Sequence, residues 1–157
     1  MITENSKMPS GQLQELKDGN MQTHNTDELF ANKKVVLFAV PGAFTPTCSA
    51  AHLPGYVVSA DELNAKGVDL IICLSVNDAF VMNAWGEAQN AENLSMMADG
   101  DGSYTKALGL EMETGGFGGL RSQRYSMIVD NGVVTHLNIE KPKEFEVSKA
   151  EVILDAL

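Results

Sequence analysis

Two short apolar runs mark the centre of this chain. Residues 35–40 have the sequence Val-Val-Leu-Phe-Ala-Val, and residues 68–76 have the sequence Val-Asp-Leu-Ile-Ile-Cys-Leu-Ser-Val. Runs of this length, rich in β-branched residues and followed by turn residues, are typical of parallel strands buried on both faces. The pattern therefore predicts that these segments are the two central strands of one sheet.

Turn signals predict two hairpins on either side of these strands. Asp18-Gly19 separates residues 12–16 from residues 20–23, and Asp130-Asn131-Gly132 separates residues 125–129 from residues 133–139. Asp-Gly and Asn-Gly accept the positive φ angles that a tight hairpin turn needs. A further short strand is expected over residues 94–98.

Capping signals predict the helices. Helices are expected to begin near Thr26, Pro46, Asn77 and Ser103. The second should run to about residue 66, end at Gly67 and be bent or interrupted at residues 54–55, Pro-Gly. Ser148 is expected to cap the last helix, with Glu151 at the capping-box position.

This order of elements predicts one fold class. Helices alternate with strands in the first part, and a hairpin and a terminal helix follow. Such an order is typical of an α/β fold with a mixed central β-sheet flanked by helices. No repeat or linker divides residues 1–157, so we expect a single domain with a flexible lead over about residues 1–10.

Composition and charge narrow the range of functions. The formal net charge is -10 at pH 7, which argues against a nucleic acid or an anionic membrane surface as a partner. No apolar run approaches the roughly 20 residues of a membrane span, and the first residues lack the apolar core of a signal peptide. Two cysteines do not make a secreted disulfide framework, so a reducing cytoplasm is the expected compartment.

The segment that follows the first central strand carries the candidate chemistry. Residues 41–48 are Pro-Gly-Ala-Phe-Thr-Pro-Thr-Cys. Thr45 and Pro46 suit the N-cap and the first position of a helix, which would place Cys48 in its first turn. A thiol near free backbone N–H groups and the positive end of the helix dipole ionises more easily, and the thiolate is the reactive form. The segment therefore predicts an activated cysteine and redox chemistry.

The arginines supply a candidate counter-charge for that thiolate. The chain has only two, Arg121 and Arg124, at the start of the second hairpin. Either is permanently charged and donates through a planar fork, although two arginines at a strand start can also be ordinary surface charges. One arginine, Cys48 and the hydroxyl of Thr45 would suffice to bind a peroxide and to stabilise charge on the leaving oxygen.

Three segments carry a resemblance to a known family. They are residues 41–56, PGAFTPTCSAAHLPGY, residues 73–85, CLSVNDAFVMNAW, and residues 121–134, RSQRYSMIVDNGVV. The chain resembles the peroxiredoxins, specifically the type II peroxiredoxins of plants and their bacterial relatives (the peroxiredoxin 5 subfamily). The similarity extends over nearly the whole chain from about residue 29, and the family motif Pro-x-x-x-Thr-x-x-Cys is complete.

The resemblance implies a thioredoxin-like fold with an N-terminal extension and assigns roles to site residues. Cys48 would be the peroxidatic cysteine, Thr45 would hydrogen-bond the peroxide, Pro41 would shield the sulfur, and Arg124 would be the catalytic arginine. Arg121 would be an auxiliary residue at most. Further candidates for the pocket are Gly42, Phe44, Thr47 and His52. His52 lies four residues after Cys48 on the same helix face, and a packing role for it is equally open.

The resemblance also implies the reaction and leaves its second half open. The Cys48 thiolate would attack hydrogen peroxide or an alkyl hydroperoxide and become a sulfenic acid. Many relatives resolve this with a C-terminal cysteine, but residues 141–147 contain none. We therefore expect a one-cysteine cycle with an external thiol such as glutathione, alone or through glutaredoxin. The alternative is a Cys48–Cys73 disulfide reduced by thioredoxin, although Cys73 suits a buried packing residue.

Other functions receive less support from the sequence. A peroxide sensor or holdase would use the same thiol with little turnover. A disulfide oxidoreductase would need Cys-x-x-Cys, whereas position 51 is Ala. No paired ligands predict a metal, and the glycine loop 115–119 lacks the dinucleotide-binding context, so no cofactor is expected. Relatives commonly form homodimers, and Phe44, Phe80 and Phe117 could lie at such a contact, at the pocket mouth or in the core.

Overall fold

The computed structural model describes the whole chain, Met1–Leu157. Its strands are β1 (Gln12–Lys17), β2 (Asn20–Asn25), β3 (Lys34–Ala39), β4 (Leu70–Ser75), β5 (Ser95–Ala98), β6 (Glu111–Glu113), β7 (Leu120–Ser122), β8 (Tyr125–Asp130) and β9 (Val133–Ile139). Its helices are α1 (Thr26–Phe30), α2 (Leu53–Ala65), α3 (Ala79–Ala88), α4 (Ser103–Leu108) and α5 (Ala150–Ala156). A π-helical turn, Cys48–His52, leads directly into α2. No helix has both the length and the apolar character needed to span a membrane.

One mixed sheet of seven strands organises the fold, in the order β2-β1-β5-β4-β3-β8-β9. Strands β3, β4 and β5 are parallel neighbours, whereas β8 runs antiparallel to β3 and to β9. The two apolar runs are therefore adjacent central strands, and both predicted hairpins form. The mixed sheet expected from the sequence is confirmed.

Alternating side chains of the central strands divide the core into two layers. Val36, Phe38 and Cys73 face the layer that contains Cys48 and the buried faces of α2, α3 and α5. Leu37 and Ile72 face the opposite layer. This follows from the two-residue period of a strand that is covered on both faces. Cys48 and Cys73 consequently belong to the same layer.

The first residues are bound to the body of the protein, contrary to the flexible lead expected from the sequence. The backbone N–H groups of Ile2, Asn5 and Met8 donate to the carbonyls of Leu108, Val134 and Gly132 at 2.7, 2.7 and 2.8 Å. The Met8 side chain is buried. Strand β9 is one of the two edge strands of the sheet, and the bonds between this segment and Val134 satisfy backbone groups that the edge would otherwise leave unpaired.

The irregularity in the long helix lies just before the position predicted for it. The helix begins at Pro46, as expected, but its hydrogen bonding widens over Cys48–His52 instead of breaking at Pro54. The N–H of Leu53 donates to the carbonyl of Cys48, a bond of π-helical spacing. Pro54 has no N–H and cannot donate an α-helical hydrogen bond. A π-helical turn just before Pro54 is compatible with that missing bond.

The predicted cap of the last helix is wrong. The helix begins at Ala150 with Lys149 as the N-cap residue, and no side chain caps it. The Ser148 hydroxyl instead donates to Oε2 of Glu140 at 2.7 Å. A short hairpin of β6 and β7, which the sequence analysis did not predict, encloses the glycine loop.

Candidate active site

Three neighbouring strands bring the candidate residues together at one end of the sheet, where β3 and β9 end and β8 begins. Ala39 at the end of β3 pairs with Tyr125 at the start of β8, and Tyr125 pairs with Ile139 at the end of β9. Three parts of the chain therefore meet here. They are the loop after β3 that leads to Cys48, Arg124 just before β8, and Glu140 just after β9.

Local hydrogen bonds fix the loop between β3 and Cys48. The Thr45 hydroxyl donates to the carbonyl of Gly42 at 2.7 Å, and the N–H of Ala43 donates to Oδ1 of Asn77 at 3.0 Å. A Cβ atom at position 42 would lie 3.1 Å from Cγ2 of Thr45, so the turn is tight at this glycine. The Thr45 hydroxyl thus closes the turn and keeps its oxygen able to accept a further hydrogen bond.

The sulfur of Cys48 receives a hydrogen bond from one of the two arginines. Nη2 of Arg124 donates to Sγ of Cys48 at 3.0 Å, and the Cys48 side chain is 1 % exposed. A guanidinium is always charged, and its bond to a sulfur is strongest when the sulfur is a thiolate. The contact can therefore hold a nucleophilic thiolate at a shielded position.

His52 holds the other end of the same guanidinium. Nη1 of Arg124 donates to Nδ1 of His52 at 2.8 Å, and Nε2 of His52 lies 3.1 Å from the carbonyl oxygen of Ser148. A carbonyl only accepts, so the proton of the ring is on Nε2 and Nδ1 is the acceptor. Burial, followed by the charge of Arg124, lowers the pKa of His52 to about 3, which keeps the imidazole neutral.

A buried carboxylate, that of Glu140, supports this arrangement, and Glu140 lines the same cavity as Arg124. Oε2 of Glu140 accepts the N–H of Glu146 at 2.8 Å, the N–H of Ser148 at 2.9 Å and the Ser148 hydroxyl at 2.7 Å. Burial raises the pKa of Glu140, but these hydrogen bonds lower it by more, and the net pKa is below its ordinary value. The carbonyl of Ser148 also accepts the hydroxyl of Tyr56 at 2.8 Å.

A cavity of about 620 Å³ lies over this group. Its lining includes Pro41, Thr47 and Arg124, together with Phe117 and the polar segment 141–144. Pro41, Thr47 and Arg124, which the sequence placed in one site, do line one space. The cavity is large enough for a small peroxide and for part of a larger thiol.

The second arginine has a different environment. Nη1 of Arg121 donates to the carbonyl of Val76 at 2.8 Å, and its Nε donates to the carbonyl of Gly118 at 3.1 Å. It therefore fastens the glycine loop to the end of β4 and makes no hydrogen bond to Cys48. The structure distinguishes the two arginines, which the sequence pattern could not do.

Cys73 lies in the middle of β4, paired with Phe38 and Met96. Its side chain is fully buried, and both cysteines are free thiols. Burial, reinforced by the neighbouring Cys48, raises the pKa of the Cys73 thiol well above its usual range. Cys73 is therefore protonated at neutral pH and is a poor nucleophile.

Three phenylalanines named from the sequence are exposed rather than in the core. Phe44, Phe80 and Phe117 expose 57 %, 64 % and 69 % of their surface. Phe44 has a positive φ of 63°, which is unusual for an aromatic residue and turns its ring outward from the loop. Its ring centroid lies 6.4 Å from that of the buried Trp85.

Sequence reasoning missed the residues behind His52. The Ser148 carbonyl binds both His52 and Tyr56, and Glu140 binds Ser148, yet Tyr56 and Ser148 are 92 positions apart. No spacing or motif links residues this distant along the chain. The one available signal was an acidic residue at the end of an apolar hairpin strand.

Comparison with known proteins identifies the family and the fold. Residues 3–154 match the Redoxin family model. The chain is 48 % identical to peroxiredoxin-2D of Arabidopsis thaliana, over 99 % of this chain and 98 % of that protein. It superposes with a TM-score of 0.98 on reduced Prx3 of Vibrio vulnificus in complex with H2O2, at 69 % identity and 99 % coverage of both chains. A 1-Cys peroxiredoxin of Plasmodium falciparum, at 27 % identity, superposes with a TM-score of 0.92 over 99 % of this chain and 98 % of that one.

The fold and the site define a redoxin with a thioredoxin-like architecture, in which an arginine-bound cysteine lies under a cavity. The chain belongs to the peroxiredoxin family. It is accordingly a thiol peroxidase, an antioxidant oxidoreductase that acts on peroxides with thiol reductants.

Proposed function

We propose that this protein is a one-cysteine peroxidase of the type II peroxiredoxin kind, with Cys48 as its only redox-active residue. Hydrogen peroxide is the proposed primary substrate, and organic hydroperoxides are the proposed further ones. The observation that carries the proposal is the 3.0 Å hydrogen bond from Arg124 to the sulfur of Cys48 beneath the cavity. The H2O2 complex of the Vibrio vulnificus relative supports the choice of substrate.

In the first half of the proposed cycle, the Cys48 thiolate attacks one oxygen of the peroxide. The S–O bond forms as the O–O bond breaks, and the other oxygen takes up a proton and leaves as water or alcohol. Arg124 stabilises the negative charge that moves from the sulfur to the leaving oxygen. Thr45 accepts a hydrogen bond from the peroxide, and Pro41 excludes water. Cys48 is left as a sulfenic acid.

In the second half, an external thiol restores Cys48. The thiolate of one glutathione attacks the sulfenic sulfur, water leaves and a mixed disulfide forms. A second thiol then attacks the glutathione sulfur of this mixed disulfide and frees the Cys48 thiol. If that thiol belongs to a second glutathione, the product is glutathione disulfide; if it belongs to glutaredoxin, the product is a glutaredoxin–glutathione mixed disulfide. No metal or other cofactor takes part in this scheme.

The environment of Cys73 supports a cycle that does not use it. Its protonated state and its place inside β4 oppose an attack on a sulfenic acid. A Cys48–Cys73 disulfide would require that the Cα atoms of the two residues lie within about 7 Å of each other. If they are farther apart, the backbone of the central strand β4 would have to shift. The 1-Cys peroxiredoxin of Plasmodium falciparum has the same fold. A two-cysteine cycle with thioredoxin remains the rival outcome of the test.

Two cysteine variants test the proposal. Cys48→Ser should abolish peroxide consumption, because a hydroxyl at this position is not a comparable nucleophile. Cys73→Ala, which keeps the buried site apolar, should retain most of the steady-state rate with glutathione. Peroxide loss is followed directly, and dithiothreitol replaces glutathione in a parallel series as a reductant that needs no specific site.

Three results would oppose the proposal. Equal loss in both variants would indicate a two-cysteine cycle. One stoichiometric burst without turnover in either reductant would indicate a sensor or a holdase. Turnover with thioredoxin but not with glutathione would keep the role of Cys48 but show that thioredoxin, and not glutathione, is the reductant.

We also propose that two copies pair through the loops that carry the exposed phenylalanines. These loops meet at the end of β4, because Asn77 binds the loop of Phe44 and Arg121 joins the loop of Phe117 to Val76. Phe80 follows four positions after Val76 at the start of α3. Large apolar side chains exposed together on one face are typical of an interaction site.

A further inference from the structure

Glu140 is a buried acid to which the reaction assigns no role. It directly follows β9, is 7 % exposed and forms no salt bridge. Its Oε2 accepts three hydrogen bonds from residues 146–148, whereas its Oε1 has no partner. A buried carboxylate is costly to maintain unless its hydrogen bonds compensate, so its position calls for an explanation.

The three hydrogen bonds fix the segment that precedes α5. Two of them come from the backbone N–H and the hydroxyl of Ser148, at 2.9 and 2.7 Å. With both donors of Ser148 engaged, its carbonyl points away from Glu140 and accepts from His52 and Tyr56. The segment 141–149 contains neither helix nor strand, so these hydrogen bonds to Glu140 and the packing of Phe145 against His52, with ring centroids 4.9 Å apart, hold it in place.

From Ser148 an unbroken series of contacts leads to the reacting sulfur. The Ser148 carbonyl selects the His52 tautomer with its proton on Nε2. Nδ1 of that ring accepts from Arg124 at 2.8 Å, and Arg124 donates from its other terminal nitrogen to Cys48 at 3.0 Å. The N–H of Glu140 also donates to the carbonyl of Arg124 at 2.9 Å, which ties the two backbones together.

We propose that Glu140 is a positioning residue for peroxide reduction, which acts through Ser148 and His52 to aim the Arg124 guanidinium at Cys48. The inference rests on the proposed role of Cys48. Without the anchor, the Ser148 carbonyl would no longer hold the ring, and Arg124 would lose its fixed acceptor. A guanidinium displaced by about 1 Å can cost on the order of a hundredfold in rate, because the leaving oxygen would no longer meet its donor.

The variant Glu140→Gln tests the proposal, with Glu146→Gln as the matched control. Both remove one negative charge from the same segment, but Glu146 is exposed and its side chain has only a 3.8 Å contact to Lys149. Each reduced protein is mixed with hydrogen peroxide, and separately with iodoacetamide, under single-turnover conditions. Both rate constants are taken from the plateau of their pH dependence, so that a change in the thiolate fraction does not enter the comparison. Alkylation by iodoacetamide needs the thiolate but no stabilisation of a leaving peroxide oxygen.

The proposal predicts that Glu140→Gln lowers the rate constant with peroxide by about tenfold to a hundredfold, as expected when a supporting residue is lost. The rate constant with iodoacetamide should change by less than about threefold, well below a full misalignment effect. Glu146→Gln should leave both rate constants near those of the unmodified protein. Ser148→Ala, which removes one of the three bonds and keeps the carbonyl, should give a smaller loss in the peroxide reaction alone.

Two results would overturn the proposal. An unchanged peroxide rate in Glu140→Gln would show that the anchor is dispensable, and equal losses with both reagents would indicate general disruption of the site. If Glu140→Gln does not fold, the proposal is tested with Ser148→Ala, by comparing its rate constants with peroxide and with iodoacetamide in the same way. A failure of the proposed role of Cys48 is distinguishable, because the unmodified protein itself would then not react with peroxide at Cys48.

Discussion

At the scale of single residues, the choice of acceptor behind Arg124 is the most informative feature. A carboxylate there would hold the guanidinium but would also compete with the thiolate for its charge. A neutral imidazole orients the same fork through Nδ1 and leaves the charge to the sulfur. Burial and the proximity of Arg124 keep His52 neutral by lowering its pKa to about 3. The pair therefore combines fixed geometry with an uncompensated positive charge at Cys48.

This neutral histidine predicts how stability depends on pH. His52 has a pKa of 6.5 when unfolded and about 3 when folded, so the unfolded chain binds the additional proton between these values. Its contribution is therefore fully present above about pH 6.5 and is lost as the pH falls towards 3. We expect it to lower the free energy of unfolding by about 2 kcal/mol between pH 7 and pH 5.

Urea unfolding at the two pH values measures this contribution. The variant His52→Gln, which cannot take up a proton, should lack this part of the decrease. Glu140 contributes mainly below its ordinary pKa of 4.5, so it adds little to the comparison in this interval. An equal decrease in the variant and in the unmodified protein would mean that His52 is not the responsible group.

At the scale of elements, the sequence predicted the strands, turns and helix starts that depend on signals within a few residues. The short apolar runs, the Asp-Gly and Asn-Gly turns and the helix start near Asn77 are each decided within a few residues, and the structure has all of them. The pair β6 and β7 was missed because its three-residue strands are partly exposed and lack a clear alternation. The cap at Ser148 was wrong because Glu140, which lies outside the helix, accepts its hydroxyl.

The candidate site was predictable to a similar extent. Cys48, Thr45, Pro41 and Arg124 belong to contiguous motifs, and the structure places them around one cavity or in its supporting loop. The distinction between Arg121 and Arg124 depends on strand register, and the link from Glu140 to His52 depends on a segment without regular structure. Neither is encoded by spacing along the chain.

The loops with exposed phenylalanines give a prediction at this scale. Phe80→Asp places a charge on the proposed contact face and should convert a dimer into a monomer, because burying an unpaired carboxylate is costly. Light scattering coupled to size exclusion measures the molar mass. The control is Val58→Asp, which alters a residue of α2 that is 84 % exposed and lies outside these loops. A dimer that persists in Phe80→Asp, or an unmodified protein that is monomeric, would contradict the proposed contact.

At the scale of the whole molecule, the order of strands explains how a site is assembled from distant segments. The adjacency of β3, β8 and β9 brings the end of one hairpin beside the loop of the nucleophile. The central strand β4 lies on the other side of β3 and keeps Cys73 inside the core. The same sheet that places the loop of Cys48 beside the cavity therefore keeps the second cysteine away from the chemistry.

The central claim is that Cys48 alone carries the redox cycle, and intact-mass analysis tests it most directly. The reduced protein is treated with one equivalent of peroxide, and a second sample then receives glutathione. The account predicts a gain of about 16 Da, one oxygen, which peptide mapping of the same sample places on the peptide containing Cys48, and then a glutathione adduct at the same residue. A loss of about 2 Da from a Cys48–Cys73 disulfide, or oxygen found on another residue instead, would contradict it.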